Sequence, residues 1–318
     1  MKIFYNIIIV FLLILCFLIG RNTGINSQNK TEFHKSESPT PSPESEEENG
    51  TSNLLSSVEL YNNSNNSSNM KLSNILPYGI PTVPVTPSIP LDTETESHLE
   101  QFRSQARELN KTSPDAFFIS GTHEEKKVAL TFDDGPDKHT TPIIMKILNE
   151  FDIKATFFVV GQNAEKYPYI IQSLFDSGHQ IANHSWSHKR PLSMNVEKLI
   201  DEIDKTNAIL ADILDIPDDT FIYFRPPYGL VTYEQLDALK EHGYKAICWS
   251  IDSMDWYTSS AENIKKCVVE LAHPGAIILM HSAGGKDQRA STIKALPGII
   301  EELSKQGYEF VTIDELLK

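Results

Sequence analysis

The sequence predicts a parallel α/β fold over residues 113–318, and within that class a barrel in preference to an open doubly wound sheet. Short β-branched runs alternate with amphipathic stretches, and strand then helix recur about seven times. The chemically active side chains collect just past the strand ends. The expected strands cover 128–132, 155–160, 180–183, 221–224, 245–251, 276–280 and 309–312. Helical periodicity marks 141–151, 167–177, 196–213, 233–242, 261–271 and 291–306 between them. Beyond the strand ends stand Asp133, Asp134, His184, Arg225, Asp252, Asp255 and His281. In a barrel those ends converge on one mouth, so residues far apart in the chain meet there.

The rest of the chain is of different character. Residues 1–20 are an almost unbroken apolar run, longer than the ~7–15 residues of a secretory core and without an A-x-A cleavage pattern. An uncleaved membrane anchor is expected, with the remainder of the chain on the extracellular face; cleavage would make the protein secreted. Residues 21–112 are Ser-, Asn-, Pro- and Glu-rich tracts without a sustained period and read as an extracellular linker. Lys and Arg number 28 against 43 Asp and Glu, a net charge of -15, which disfavours nucleic acid as a partner. Cys16, Cys248 and Cys267 are too few for a disulfide framework, and only the last two could pair within the folded part.

Two features carry chemistry. Asp133 and Asp134 in TFDDGP are adjacent carboxylates at a strand end, a pattern that also serves as a plain turn. His184 and His188 in HSWSH are four residues apart, so in a helical turn they share a face and can bind one metal. Either Asp133 or Asp134 can complete a two-His, one-carboxylate set with positions left open for water.

In order along the chain, TFDDG, HSWSH, RPPYG, DSMDW and LMH resemble the five motifs of the polysaccharide deacetylases of carbohydrate esterase family 4, the group with the NodB homology domain. The resemblance covers residues 125–318 and implies a distorted (β/α) barrel, one divalent metal and removal of acetyl groups from a polysaccharide. Carried over position by position, it makes Asp134, His184 and His188 the metal ligands and Asp133 the base. Zinc is the expected metal, with cobalt or manganese able to substitute. A bound metal acidifies water, a nearby carboxylate takes the proton, and the oxyanion is met by the metal and the main-chain N–H of Tyr228. His281 is the implied acid for the departing amine, held by Asp255, while Arg225 pairs with Asp133. Trp256 and Leu279 resemble the apolar walls of the acetyl pocket.

No Gly-x-Ser-x-Gly elbow supports a serine esterase, and HSWSH lacks the glutamate of a HExxH protease. A polysaccharide-binding module that had lost catalysis would lack a base, an acid or a ligand, and all are present. The expected enzyme is a monomeric hydrolase acting on N-acetylglucosamine of peptidoglycan. Chitin-like chains, exopolysaccharide and O-acetylated xylan are the alternatives.

Overall fold

The structure is a computed structural model and describes residues 89–285 and 287–318. The expected anchor over 1–20 and the expected linker up to residue 88 lie outside the described residues, within which no helix is long and apolar enough to cross a membrane.

Helix α1 (Thr93–Thr112) leads into β1 (Phe117–Phe118) and β2 (Lys127–Asp133), and α2 (Thr141–Glu150) into β3 (Thr156–Val159). Helices α3 (Gly161–Lys166) and α4 (Pro168–Asp176) precede β4 (Gln180–Asn183), and the long α5 (Val196–Leu214) precedes β5 (Tyr223–Phe224). Next come α6 (Tyr233–Glu241), β6 (Lys245–Ile247), β7 (Ile251–Asp252) and α7 (Ala261–Leu271). The chain finishes with β8 (Ala276–His281), α8 (Ala290–Lys305), β9 (Glu309–Phe310) and α9 (Ile313–Leu316).

The strands form one sheet in the order β1-β6-β5-β4-β3-β2-β8-β7, with β9 also on β2, and every ladder is parallel. Side chains alternate along each strand, so the sheet feeds two cores. Leu130, Phe132, Phe157, Val159, Ile278 and Met280 face one, shared with Ile144, Leu174, Ile264 and Leu296 from the helices. Ala129, Phe158, Ala182, Ile277 and Leu279 face the other, with Trp249 and with Phe102, Ala106 and Leu109 of α1. The small residues of this second face leave room for polar side chains at its mouth, and Thr131 and Asp133 continue the Ala129 row into it.

The expected single strand 245–251 is two strands. Its first half pairs with β5 and its second with β8, which lie toward opposite ends of the sheet order, so the ladder must break between them. Here the Cys248 N–H turns to Phe118 O and the Ser250 N–H to Ile277 O. The chain itself thereby links the two ends of a curled, incomplete barrel. Cys248 and Cys267 are buried, free thiols and do not pair.

The linker boundary at 112 is also corrected. Residues 93–112 are a helix, capped by Asp92, whose side chain accepts the Thr95 N–H at 2.8 Å. Its Thr- and Glu-rich composition continues that of the preceding tract, whereas its buried residues Leu99, Phe102, Ala106 and Leu109 recur at helical spacing. His98 is buried on this helix as well. Chains beginning at residue 113 should be less stable than chains beginning at 89, by about 5 kcal/mol for the apolar side chains lost. Urea denaturation of the two fragments reads the difference, and equal midpoints would refute it.

Candidate active site

His184 and His188 converge without the expected helical turn. HSWSH follows β4 as an irregular loop in which Ser185 and His188 take positive φ angles of 66° and 55°. Such angles cost free energy in non-glycine residues and persist where neighbours over-determine them. Here Asn183 Oδ1 accepts the Ser185 N–H at 2.8 Å, and Ser185 Oγ accepts the His188 N–H at 3.0 Å. Glu202, buried on α5, accepts from both the N–H and the Oγ of Ser187 at 2.7 and 2.8 Å.

The donor set is consistent with a metal. His184 Nδ1 donates to the Arg225 carbonyl at 2.7 Å, which leaves Nε2 to present its lone pair. That Nε2 lies 3.6 Å from Asp134 Oδ1, and His188 Nε2 lies 3.1 Å from the same oxygen. Asp134 Oδ1 is buried and has no hydrogen-bond partner among the described residues, although both imidazoles face it. Ligand atoms of all three residues fall within 4.8 Å of one another. Two imidazole nitrogens and an unsatisfied carboxylate oxygen aimed at one point suit a divalent cation with open coordination positions.

Asp133 faces a different partner. It is 3% exposed and accepts from Arg225 Nη1 at 2.7 Å. Arg225, wholly buried, also donates from Nη1 to Thr131 Oγ1 at 2.7 Å, from Nε to Ile247 O and from Nη2 to Cys248 O, both at 3.1 Å. Its guanidinium sits over the Phe158 ring at 4.0 Å. Asp133 Oδ2 approaches His184 Nε2 at 3.7 Å, which puts the carboxylate beside the ligand set.

His281 is the register partner of Asp133 across the β2–β8 ladder. Its Nδ1 donates to Asp255 Oδ1 at 2.6 Å, while Asp255 Oδ2 accepts from the His281 N–H and from Thr292 Oγ1, both at 2.9 Å. Burial works against the imidazolium, but the Asp255 carboxylate overrides it and raises the His281 pKa to about 9. Arg289 donates to the Asp255 carbonyl at 3.3 Å and lies 4.0 Å from Asp134 Oδ2, bridging the two halves of the site.

Tyr228 adopts φ 62° and ψ 9° within the Pro227–Gly229 turn. Its half-exposed ring lies 5.2 Å from that of His188, with the Arg190 guanidinium 4.1 Å from its centroid. Trp256 is exposed, and its Nε1–H donates to Asp252 Oδ1 at 3.1 Å. Burial pushes the Asp252 carboxyl up to about 6. Leu279 is buried in the inner core, two residues before His281 on the same strand. Glu202 and Arg289 were not among the residues expected from the sequence. Glu202 could have been found as an acid on the buried stripe of α5, between Leu199, Ile203 and Thr206.

The chain is similar to known proteins over this region. A family described as polysaccharide deacetylase matches residues 120–247. A peptidoglycan-N-acetylglucosamine deacetylase of Bacillus cereus is 37% identical over 203 residues, 64% of this chain and 72% of that protein. The peptidoglycan-N-acetylmuramic acid deacetylase PdaA of Bacillus subtilis is 34% identical over 206 residues, 64% of this chain and 75% of that protein. Among solved structures, the Bc1960 peptidoglycan N-acetylglucosamine deacetylase, held in complex with a hydroxamate, aligns with a TM-score of 0.60 at 37% identity. That alignment covers 63% of this chain and 91% of the other.

If Asp134, His184 and His188 hold the cation, calorimetric titration of the metal-stripped chain with Zn²⁺ should show one site. Asp134→Asn and His184→Ala should abolish it. Glu202→Gln should weaken it about tenfold by loosening the loop that presents His188. Stoichiometric binding retained in the His184→Ala, His188→Ala double variant would refute the assignment.

Proposed function

The chain belongs to the polysaccharide deacetylase family and is a deacetylase; from that premise we propose that it hydrolyses the N-acetyl groups of N-acetylglucosamine in peptidoglycan, using Asp133 as base and His281 as acid. The observation that carries this reading is the placement of those two groups. They are register partners on adjacent strands, yet each has its own counter-charge, Arg225 for Asp133 and Asp255 for His281. Glucosamine is favoured as the sugar because the 37% identical relative and structure both bear that name, while PdaA, with its muramic acid, is 34% identical.

Asp134, His184 and His188 would hold a divalent cation, zinc by the chemistry of the donors, which when bound acidifies water and polarises the acetyl carbonyl. Asp133 takes the proton of the attacking water. Arg225 orients that carboxylate and fixes which oxygen is free, because Oδ1 is occupied by Nη1. The main-chain N–H of Tyr228 donates to the oxygen on which charge develops. His281 gives its Nε2 proton to the nitrogen as the C–N bond breaks, and Asp255 holds the ring by Nδ1 so that Nε2 faces the substrate. Trp256 and Leu279 bound the space taken by the acetyl methyl.

The acid assignment has two readouts, both from acetate release by the metal-loaded chain. The aryloxide of an aryl acetate departs without a proton when the acyl C–O bond breaks, so His281→Ala should slow that substrate far less than it slows an N-acetylglucosamine oligomer, whereas Asp133→Asn should slow both. Equal losses in the histidine variant would make His281 a binding group. Asp255→Asn removes the charge that raises the His281 pKa, so the acid form is lost at lower pH, and the alkaline fall in kcat should move toward neutrality. An unmoved alkaline limb would count against the pair.

The apolar run ending at Gly20 supports export and retention at the outer face of the cell membrane, close to a wall polysaccharide. Sequencing the mature N-terminus tests it. An intact Met1 or Lys2 in the membrane fraction is expected, and a start beyond Gly20 would make the protein secreted.

A further inference from the structure

Helix α1 lies outside the part of the chain that the family description matches, and it reaches two loops of the active site at once. Phe102 stacks on Trp249, with ring centroids 5.0 Å apart and planes at 21°. Tyr228 and Gly229 are consecutive residues with positive φ, 62° and 84°, and this stack lies directly against Gly229. A Cβ on Gly229 would come within 2.6 Å of Trp249 Cη2 and 2.7 Å of Phe102 Cε2. The turn that carries the Tyr228 N–H is therefore seated on a flat aromatic surface, one half of which belongs to α1. Trp249 Nε1 is buried and has no acceptor among the described residues, so the ring contributes its faces and edges here. The Arg225 guanidinium lies 5.7 Å from the same ring, which extends the stack toward Asp133.

The neighbouring residue serves the other loop. Arg103 is buried, which lowers its pKa, and the negative charge of Asp252 opposes that shift. Asp252 in turn accepts from the Met254 N–H and from Trp256 Nε1. Leu99 packs with Met254 and Cys267, and the Tyr257 hydroxyl donates to the Asp92 carboxylate that caps α1.

We propose that α1 is a positioning element of the catalytic site, in which Phe102 acts through Trp249 and Gly229 to hold the Tyr228 main chain in its left-handed conformation with the N–H aimed at the developing oxyanion. This rests on the reading of Tyr228 as an oxyanion donor. An oxyanion donor acts on the transition state more than on the bound ground state, so its displacement lowers kcat and spares KM. The ligand residues follow β2 and β4 and meet α1 only through the Tyr228 turn, so zinc affinity should change little with Phe102.

The test compares Phe102→Ala, Phe102→Leu and Phe102→Tyr in the full, metal-loaded chain, measuring kcat and KM on an N-acetylglucosamine oligomer, zinc affinity and folded fraction. Phe102→Ala should lose about tenfold in kcat per folded molecule, with KM and zinc affinity within about twofold of the parent. Phe102→Tyr restores a flat ring and should recover most of the rate. Should the alanine variant fail to fold, Phe102→Leu keeps apolar volume without the flat face and should show the same loss in kcat. An unchanged kcat in whichever of these variants folds overturns the proposal. So does a loss that merely follows the folded fraction, or a tyrosine variant no better than alanine. An inactive parent chain would instead remove the deacetylase reading on which the proposal stands, so the two failures are distinguishable.

Discussion

The buried Arg225–Asp133 pair is the contact on which the rest of the site depends. A guanidinium withdrawn from water must have its donors satisfied, and here they go to a carboxylate, a threonine hydroxyl and two main-chain carbonyls. Those carbonyls belong to Ile247 and Cys248, where the chain leaves β6 to cross to β7. One side chain thus braces the crossing that links the ends of the curled sheet and, with another nitrogen, orients Asp133. The Arg225 carbonyl also fixes the tautomer of His184. Replacing such a residue would leave a bare carboxylate in the interior, a loss of about 3–5 kcal/mol by the usual cost of breaking a buried pair.

Parallel strands in register explain how Asp133 and His281 can share a small site without pairing with each other. Asp133 and His281 end adjacent strands and would attract across the ladder, but each is already engaged by a stronger local partner at 2.7 and 2.6 Å. The positively charged partner sits inside the barrel and the negatively charged one in the loop after β7. The consequence is a site in which a carboxylate and an imidazole, each with its own counter-charge, are positioned by the fold before any substrate arrives.

Most of this architecture was legible in the sequence because strands of a parallel sheet announce themselves as short apolar runs. The run KVALTFD became β2 and AIILMH became β8 within a residue of the expected bounds. Asp133, His184, Arg225 and His281 stood out as polar residues at or just past the ends of such runs. What escaped was set by tertiary contacts. No local pattern says that 245–251 must serve two distant neighbours, and a spacing of four between histidines suggests a helix when the real loop is held open by Asn183 and Glu202. Helix α1 was concealed by composition: its polar face reads like the tract before it, and its apolar stripe has meaning only against Trp249 and Met254.

The position of α1 also bears on how the molecule assembles. Its cap, Asp92, bonds to Tyr257 across 165 residues of chain, and its stacking partner Trp249 is almost as remote. Contacts of that separation are slow to form because the intervening loop must be ordered first. During synthesis α1 emerges early with its apolar stripe uncovered and must wait for the fourth motif before it can dock. A chain interrupted before residue 249 would carry Asp133, Asp134, His184 and His188 but neither the aromatic seat nor His281, and would present exposed phenylalanine and leucine to its surroundings. Arrested or shortened forms of this protein are therefore expected to be sticky and inert, with both defects arising from the same undocked helix.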